Sequence, residues 1–224
     1  MRTLAATAYA IITVGVLALG QGVALVVTDA IPSPGSEITF QVVGAPAGAQ
    51  FRWDFNGDGR PDATTNQPWA SWTVPAGYWE VSVEVIQGGR VVSRVMAAVV
   101  ADARVGAFRS ARWNGGALEV TVTVRAKQFL VAPAVVETVP PGWAATVIDD
   151  GGAIYRRGDI LEVLWSTYLD PGMELRFVYA LYPPSGEAPV RLSGVASGYM
   201  EGRRVEARVA GMMAFLAQRP GPAP

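Results

Sequence analysis

Strict alternation of apolar and polar side chains is the feature that most limits how this 224-residue chain can fold. From Trp79 to Val85 every second residue is apolar, and Glu80, Ser82 and Glu84 stand between them. The same period recurs over residues 38–42, 51–55 and 118–124. Successive side chains of a β-strand point to opposite faces, so this period predicts half-buried strands and argues against helices.

Turn residues separate these runs at short intervals. The chain has 25 Gly and 16 Pro, and clusters of them follow most of the alternating segments. A junction near residues 100–104 precedes a second series of such runs, which continues to about residue 209. Short strands spaced by tight turns are typical of sandwiches and barrels. The pattern predicts two all-β domains, over residues 28–103 and 104–220.

The N-terminus has the pattern of an export segment. Met1 and Arg2 precede an uncharged run from Leu4 to Leu19, which matches the apolar core of a signal peptide. We assign residues 1–24 to a signal peptide or an N-terminal membrane anchor, in either case a helix. Cleavage fits the small residues at 22–24, whereas the uncharged run to Val27 is long enough to span a bilayer. Either alternative predicts an exported protein, extracellular or at the cell surface, with membrane contact only through an uncleaved segment.

Charge and residue usage exclude several classes of function. With 18 basic and 19 acidic residues the net charge is -1, which gives no basic surface for nucleic acid. The absence of Cys and His removes thiol and imidazole chemistry. A Ser-Lys dyad would need Lys127, which has no serine motif nearby, and the candidate carboxylates mostly adjoin Gly-rich turns. We therefore predict no enzyme and no catalytic residues.

Two segments of the first predicted domain resemble the PKD domain, an immunoglobulin-like module of extracellular and surface proteins. They are Phe51-Arg52-Trp53-Asp54-Phe55-Asn56-Gly57-Asp58-Gly59 and, further on, Trp72-Thr73-Val74-Pro75-Ala76-Gly77-Tyr78-Trp79-Glu80-Val81-Ser82-Val83. The sequence differs from the family by having Trp72 and Trp79 where Tyr is usual, which keeps an aromatic side chain at both positions. The resemblance implies an immunoglobulin-like β-sandwich.

The second predicted domain is similar to a β-sandwich repeat of prokaryotic surface proteins. The similarity lies in residues 136–143, 149–152, 164–165, Tyr179 and 192–194. Together the two resemblances imply an all-β chain of two tandem immunoglobulin-like β-sandwich domains after an N-terminal signal or anchor helix. They imply a surface location and an architecture, and they carry no implication about activity.

The acidic loop after Trp53 has two interpretations. Asp54, Asn56, Asp58 and Asp62 follow the spacing at which oxygen ligands converge on calcium, but no Glu stands at the twelfth position of this loop. The first interpretation is a structural calcium site, the one cofactor that the sequence suggests. The second is a tight turn in which these side chains bind the backbone of the loop itself.

Three functions remain open. The first is a non-enzymatic structural or protein-binding module, with protein partners of the cell envelope or surface. The second is a carbohydrate-binding protein with a polysaccharide ligand, which requires a row of exposed aromatic residues on one sheet face. Tyr78, on the polar face of its strand, is the ligand residue that we predict for it. The third is a secreted hydrolase, which requires a cleft with convergent carboxylates.

Overall fold

The computed structural model describes residues 16–17, 22–114, 116–184, 189–211 and 214–216, and every regular element in these ranges is a β-strand. The predicted all-β class is confirmed. The alternating residues have the expected orientation, since Val81, Val83 and Val85 are completely buried. Burial of one face of most strands drives this arrangement.

The N-terminal half consists of two facing sheets. Its strands are β1 (Val16–Leu17), β2 (Ala24–Val27), β3 (Glu37–Val43), β4 (Gln50–Asp54), β5 (Ala63–Thr65), β6 (Trp69–Thr73), β7 (Gly77–Gln87) and β8 (Arg90–Ala101). One sheet has the order β1-β2-β3-β6. The other has the order β5-β4-β7-β8 and continues into the C-terminal half, where Ala98 of β8 pairs with Gly211. Phe40 of the first sheet contacts Phe55, which follows β4, with ring centroids 5.7 Å apart. The core of this half therefore lies between the two sheets.

The C-terminal half repeats this layering. Its strands are β9 (Val105–Asn114), β10 (Ala117–Ala126), β11 (Leu130–Thr138), β12 (Ala144–Asp149), β13 (Ile154–Arg157), β14 (Ile160–Leu164), β15 (Tyr168–Leu169), β16 (Glu174–Tyr182), β17 (Pro189–Arg191), β18 (Gly194–Met200), β19 (Arg203–Gly211) and β20 (Ala214–Leu216). One layer has the order β12-β16-β10-β9. The other is β19-β18-β11-β14-β13, with β15 also paired to β11, and a parallel pairing of β9 with β19 joins the layers.

The N-terminal helix is not supported. Within residues 1–21 the structure describes only Val16 and Leu17, which form a strand paired with Leu25 and Ala24 of β2. β2 begins at Ala24 and its Leu25 is completely buried, so the first sheet begins before residue 28, the predicted start of the first domain. No helix in the described part of the chain is long and apolar enough to cross a membrane. Export and cleavage depend largely on residues outside the described ranges and stay predictions.

The two halves share one hydrophobic core. A single cluster of buried apolar side chains extends from Val23 in the first sheet to Ala210 in β19. At the boundary Ile31 lies against Gly106, where an added methyl group would be 2.9 Å from the Ile31 Cβ. The core has no break near residues 103–104, so the division into two domains stays a prediction.

Candidate functional site

Exposed aromatic side chains form a row across the outer face of the β19-β18-β11-β14-β13 layer. We call Phe129, Val131, Tyr168 and Tyr199 the aromatic row. Tyr168 is 59% exposed, Phe129 50%, Tyr199 48% and Val131 43%. Val131 lies directly opposite Tyr168 of β15 on one side and Tyr199 of β18 on the other. The three side chains therefore lie in line at right angles to the strands.

A β-bulge in β11 orients the centre of the row. Leu130 is completely buried while its neighbour Val131 faces out, and the pairing of β11 with β18 shifts register between Val131 and Ala134. Ala132 within the bulge has a φ of +48°, a conformation that side chains other than glycine rarely adopt. Bulges insert extra residues and change where side chains point. Because of this one, Val131 faces solvent although Val135 further along faces the core.

Close packing contacts position the two ends of the row. The rings of Phe129 and Tyr168 lie 5.5 Å apart at an angle of 32°, so the phenylalanine supports one side of the tyrosine. Beside Tyr199, Gly198 lies on Leu130, and an added Cβ there would be 2.6 Å from the leucine side chain. Glycine is required at this position for β18 to pack closely on the core.

Polar groups border the row on the β19 side. Arg204 lies opposite Tyr199 in the register of β18 and β19, and its guanidinium is 2.9 Å from the Glu206 carboxylate. Both side chains are more than half exposed. Among the residues that the structure describes, neither the Tyr168 nor the Tyr199 hydroxyl has a hydrogen-bond partner. The row thus combines apolar ring faces with available donors and acceptors.

Further apolar side chains lie on the same outer face, towards its β13 edge. We call Ile154, Ile160 and Leu164 the aliphatic strip; Ile154 and Leu164 are opposite each other in β13 and β14. Ile154 is 70% exposed, more than any other large apolar residue described. The ion pair of Glu162 with Arg156 lies between Leu164 and Ile160 on this face, so the strip is interrupted by charge.

A buried charged cluster lies beneath this face. Arg109 of β9 donates to both carboxylate oxygens of Glu137 of β11, with Nη2 2.8 Å from each, and Nη1 lies 3.4 Å from the Leu192 carbonyl oxygen. The Tyr179 hydroxyl of β16 donates to the same carboxylate at 3.0 Å. All three side chains are at most 1% exposed, so no ligand in solution reaches them. The cluster links the two layers of the C-terminal half.

The cluster shifts the pKa values of Tyr179 and Arg109. Burial raises the pKa of Tyr179 well above its ordinary value, and the Glu137 charge adds to this rise. Burial by itself would lower the pKa of Arg109, but the Glu137 carboxylate more than offsets it and the pKa is raised. The tyrosine therefore stays a neutral donor and the arginine a cation.

The predicted calcium ligands lie in one tight turn and bind its backbone. Asp54 accepts from the amides of Gly57 and Gly59 at 2.7 and 2.9 Å. The other three side chains also accept backbone amides within the loop: Asn56 from Asp58, Asp58 from Arg60, and Asp62 from Phe55. The described residues contain no group of three acidic side chains placed to hold a metal ion. Calcium binding stays a prediction, and the turn interpretation accounts for each of these contacts.

Tyr78 lies at the boundary between the halves. Its ring is half-buried, the Arg208 guanidinium lies 3.6 Å from the ring centroid, and its hydroxyl contacts Glu80. It lines a cleft of about 330 Å³ that also contains Val100 and Glu206. Burial raises the pKa of its phenol. Because Arg208 covers its ring, Tyr78 is not the open platform that its position on a polar strand face indicated; its role as a ligand residue stays a prediction.

Four acidic residues in turns or on strand faces of the C-terminal half each have separate partners. Asp149 and Asp150 accept the amides of Gly151 and Gly152 in a turn. Glu162 forms an ion pair with Arg156, and Glu174 one with Arg125. These are structural contacts of turns and exposed strand faces.

Sequence reasoning missed both the aromatic row and the buried cluster. Val131, Tyr168 and Tyr199 come from three separate strands, and Phe129 from the residue before β11. The alternating pattern along the chain does not show which strands are neighbours. The sequence did indicate a buried position for Glu137, because this acidic residue alternates in phase with Val135 and Val139. Arg109, between Phe108 and Ser110, had no such signal.

Comparison with known proteins gives no family assignment. No protein-family model and no curated protein matches this chain. Among solved structures, it is similar to the chitin-binding domain of Chi18aC from Streptomyces coelicolor, with 20% identity, a TM-score of 0.31, and coverage of 41% of this chain and 91% of that one. It is also similar to the chitinase ChiA74 from Bacillus thuringiensis, with 10% identity, a TM-score of 0.33, and coverage of 71% and 26%. Likenesses at this level carry no argument about function, and the PKD resemblance stays one of sequence alone.

Proposed function

We propose that this chain is a non-enzymatic binding and spacer protein of the cell exterior, built from two immunoglobulin-like β-sandwiches. Its binding surface is the outer face that carries the aromatic row. The observation that supports this most is the alignment of Tyr168, Val131 and Tyr199, all largely exposed, across three paired strands. Side chains on paired strands are held at fixed spacing, so such a face is organised before a ligand arrives.

The proposal gives the two halves different tasks. The first half, with its PKD-like turn and aromatic core, serves as a spacer. The second half carries the ligand surface. Because exposed aromatic rings dominate many binding interfaces, the aromatic row supports binding better than catalysis.

Binding to the envelope of the source cells tests the function. Full-length protein is incubated with isolated envelopes, and the bound fraction is measured for wild type, Tyr168→Ala and Tyr199→Ala. Each substitution removes an exposed ring, and we expect about a tenfold loss of affinity for each. Tyr182→Ala is the control, since Tyr182 is similarly exposed at 46% but lies in β16 of the other layer.

Two outcomes contradict the proposal. If wild type does not bind envelopes, the protein is not an envelope-binding module. If the Tyr182 variant loses as much affinity as the row variants, the binding surface lies elsewhere. Intact-mass analysis of protein from fractionated native cells tests export, and a cytoplasmic protein with an intact Met1 would overturn that part.

A further inference from the structure

The spacing of Tyr168 and Tyr199 is set by the sheet. Each lies opposite Val131, one on β15 and the other on β18, so two strand spacings separate them. Adjacent strands lie roughly 4.8 Å apart, which puts the two tyrosines about 10 Å apart. This matches the two-sugar repeat of an extended β-1,4-linked polysaccharide, in which every second ring presents the same face.

The chemistry of the row fits sugar rings. The C–H face of a pyranose is apolar and packs on an aromatic ring, while its hydroxyls need donors and acceptors at the edges. Val131 fills the space between the tyrosines without rising above them as a bulky ring would. Arg204 and Glu206 stand at the end of the row, and the two phenols have no partner among the described residues.

The charges on and near the row further limit the class of ligand. Arg204 and Glu206 form an exposed ion pair and so add no net charge beside the row. The whole chain carries a net charge of -1, which offers little attraction to a polyanion. A neutral polysaccharide fits this surface better than an acidic one.

We propose that the aromatic row binds a neutral β-1,4-linked polysaccharide. One sugar ring stacks on Tyr168, and the ring two positions further along the glycan stacks on Tyr199. The glycan chain crosses β15, β11 and β18 at right angles to the strands, and Phe129 packs beside Tyr168. This inference rests on the proposed function, because it names the ligand class of the same surface. A trisaccharide is the shortest ligand that reaches both tyrosines.

Calorimetric titration of the full chain with cello- and chito-oligosaccharides tests the inference. The series extends from the disaccharide to the hexasaccharide, and insoluble cellulose and chitin serve in pull-down assays. We expect a clear rise in affinity between the disaccharide and the trisaccharide. Tyr168→Ala and Tyr199→Ala each lose about tenfold in affinity for the hexasaccharide, and each variant binds the tri- and disaccharide with similar strength.

Conservative variants separate stacking from simple structural damage. Tyr168→Phe and Tyr199→Phe retain the ring and keep affinity within about threefold, which is less than 1 kcal/mol. The double variant Ile154→Ser/Leu164→Ser changes the aliphatic strip on the same face and leaves glycan affinity unchanged. All the substituted residues are exposed, so each variant is expected to stay folded. Thermal melting checks this.

The results distinguish this inference from the proposed function. Loss of envelope binding in the tyrosine variants, with no affinity for any glycan in the series, supports a binding surface but overturns the ligand class. Equal loss in the Ile154/Leu164 double variant favours a protein docked over the whole apolar face and also overturns it. Affinity that does not change with oligosaccharide length contradicts the two-ring geometry. Glycan binding without envelope binding supports the inference and overturns only the envelope as its target.

Discussion

Arg109 and Glu137 carry opposite charges in the middle of the C-terminal half, where neither reaches water. A buried ion pair adds little net stability, because removing two charges from water costs about as much as their attraction returns. Breaking it is different, because the remaining charge is then buried without a counter-ion. Gly194 makes room for the carboxylate, since an added Cβ would lie 2.3 Å from Glu137 Oε1. The position of each residue in the cluster thus depends on the others.

Glu137→Gln is expected to destabilise the protein by about 3–5 kcal/mol, because it leaves the Arg109 charge uncompensated. A triple variant, Arg109→Met/Glu137→Leu/Tyr179→Phe, removes every charge and donor of the cluster and should lose much less. Urea unfolding at neutral pH gives the free energies.

Glu174→Gln is the matched control for a partly exposed pair, here with Arg125, and should change stability by less than about 1 kcal/mol. If Glu137→Gln costs no more than this control, the cluster does not behave as a dry ion pair. If the triple variant is less stable than Glu137→Gln, the charges themselves stabilise the fold.

At the scale of the strand, the sequence predicted local conformation well and neighbours poorly. The two-residue period identified β3, β4, β7 and β10, and their alternating apolar residues are buried as expected, except that Trp79 is only partly buried. The aromatic row depended on the pairing of Val131 in β11 with Tyr168 in β15 and Tyr199 in β18, which are distant from it in the chain. The bulge at Ala132 also reverses which side chains of β11 face out, and no periodic pattern anticipates such a reversal. The local pattern therefore predicted the strands, whereas the candidate site depends on which strands pair, and the pattern does not show this.

The loop after β4 gives a test that separates its two interpretations. Asp54 accepts two backbone amides from a position that is 9% exposed, so Asp54→Ala should cost about 1–3 kcal/mol in unfolding free energy. Asp58→Ala, which removes a single acceptor at an exposed position, should cost less. We expect the melting temperature of the wild type to be equal in chelator and in excess calcium.

A calcium-dependent rise in melting temperature that Asp54→Ala abolishes would establish the metal site instead. Equal stability of the two aspartate variants would show that burial of Asp54 does not matter. Either result would contradict the turn interpretation of this loop.

The whole molecule is held together by contacts between its halves as well as by the shared core. The Lys127 ammonium donates to the Pro32 and Asp102 carbonyl oxygens at 2.6 and 2.7 Å. Burial lowers the pKa of this lysine, although the charges of Asp29 and Asp102 oppose that shift. Arg208 stacks on Tyr78 across the same boundary. A rigid joint would keep the aromatic row at a fixed orientation relative to the first half.

Gly106→Val tests whether this joint couples the halves, because its side chain would overlap the Ile31 Cβ, which cannot swing away. We expect one cooperative transition for the wild type, with equal calorimetric and van't Hoff enthalpies, and two transitions for the variant, with a loss of about 1–3 kcal/mol in the less stable half. Gly158→Ala is the control, since its added methyl meets no atom closer than 4.0 Å. Two transitions already in the wild type would mean that the shared core does not couple the halves. The first half would then act as a hinged spacer, because its contacts with the second would be too weak to hold the aromatic row in one direction.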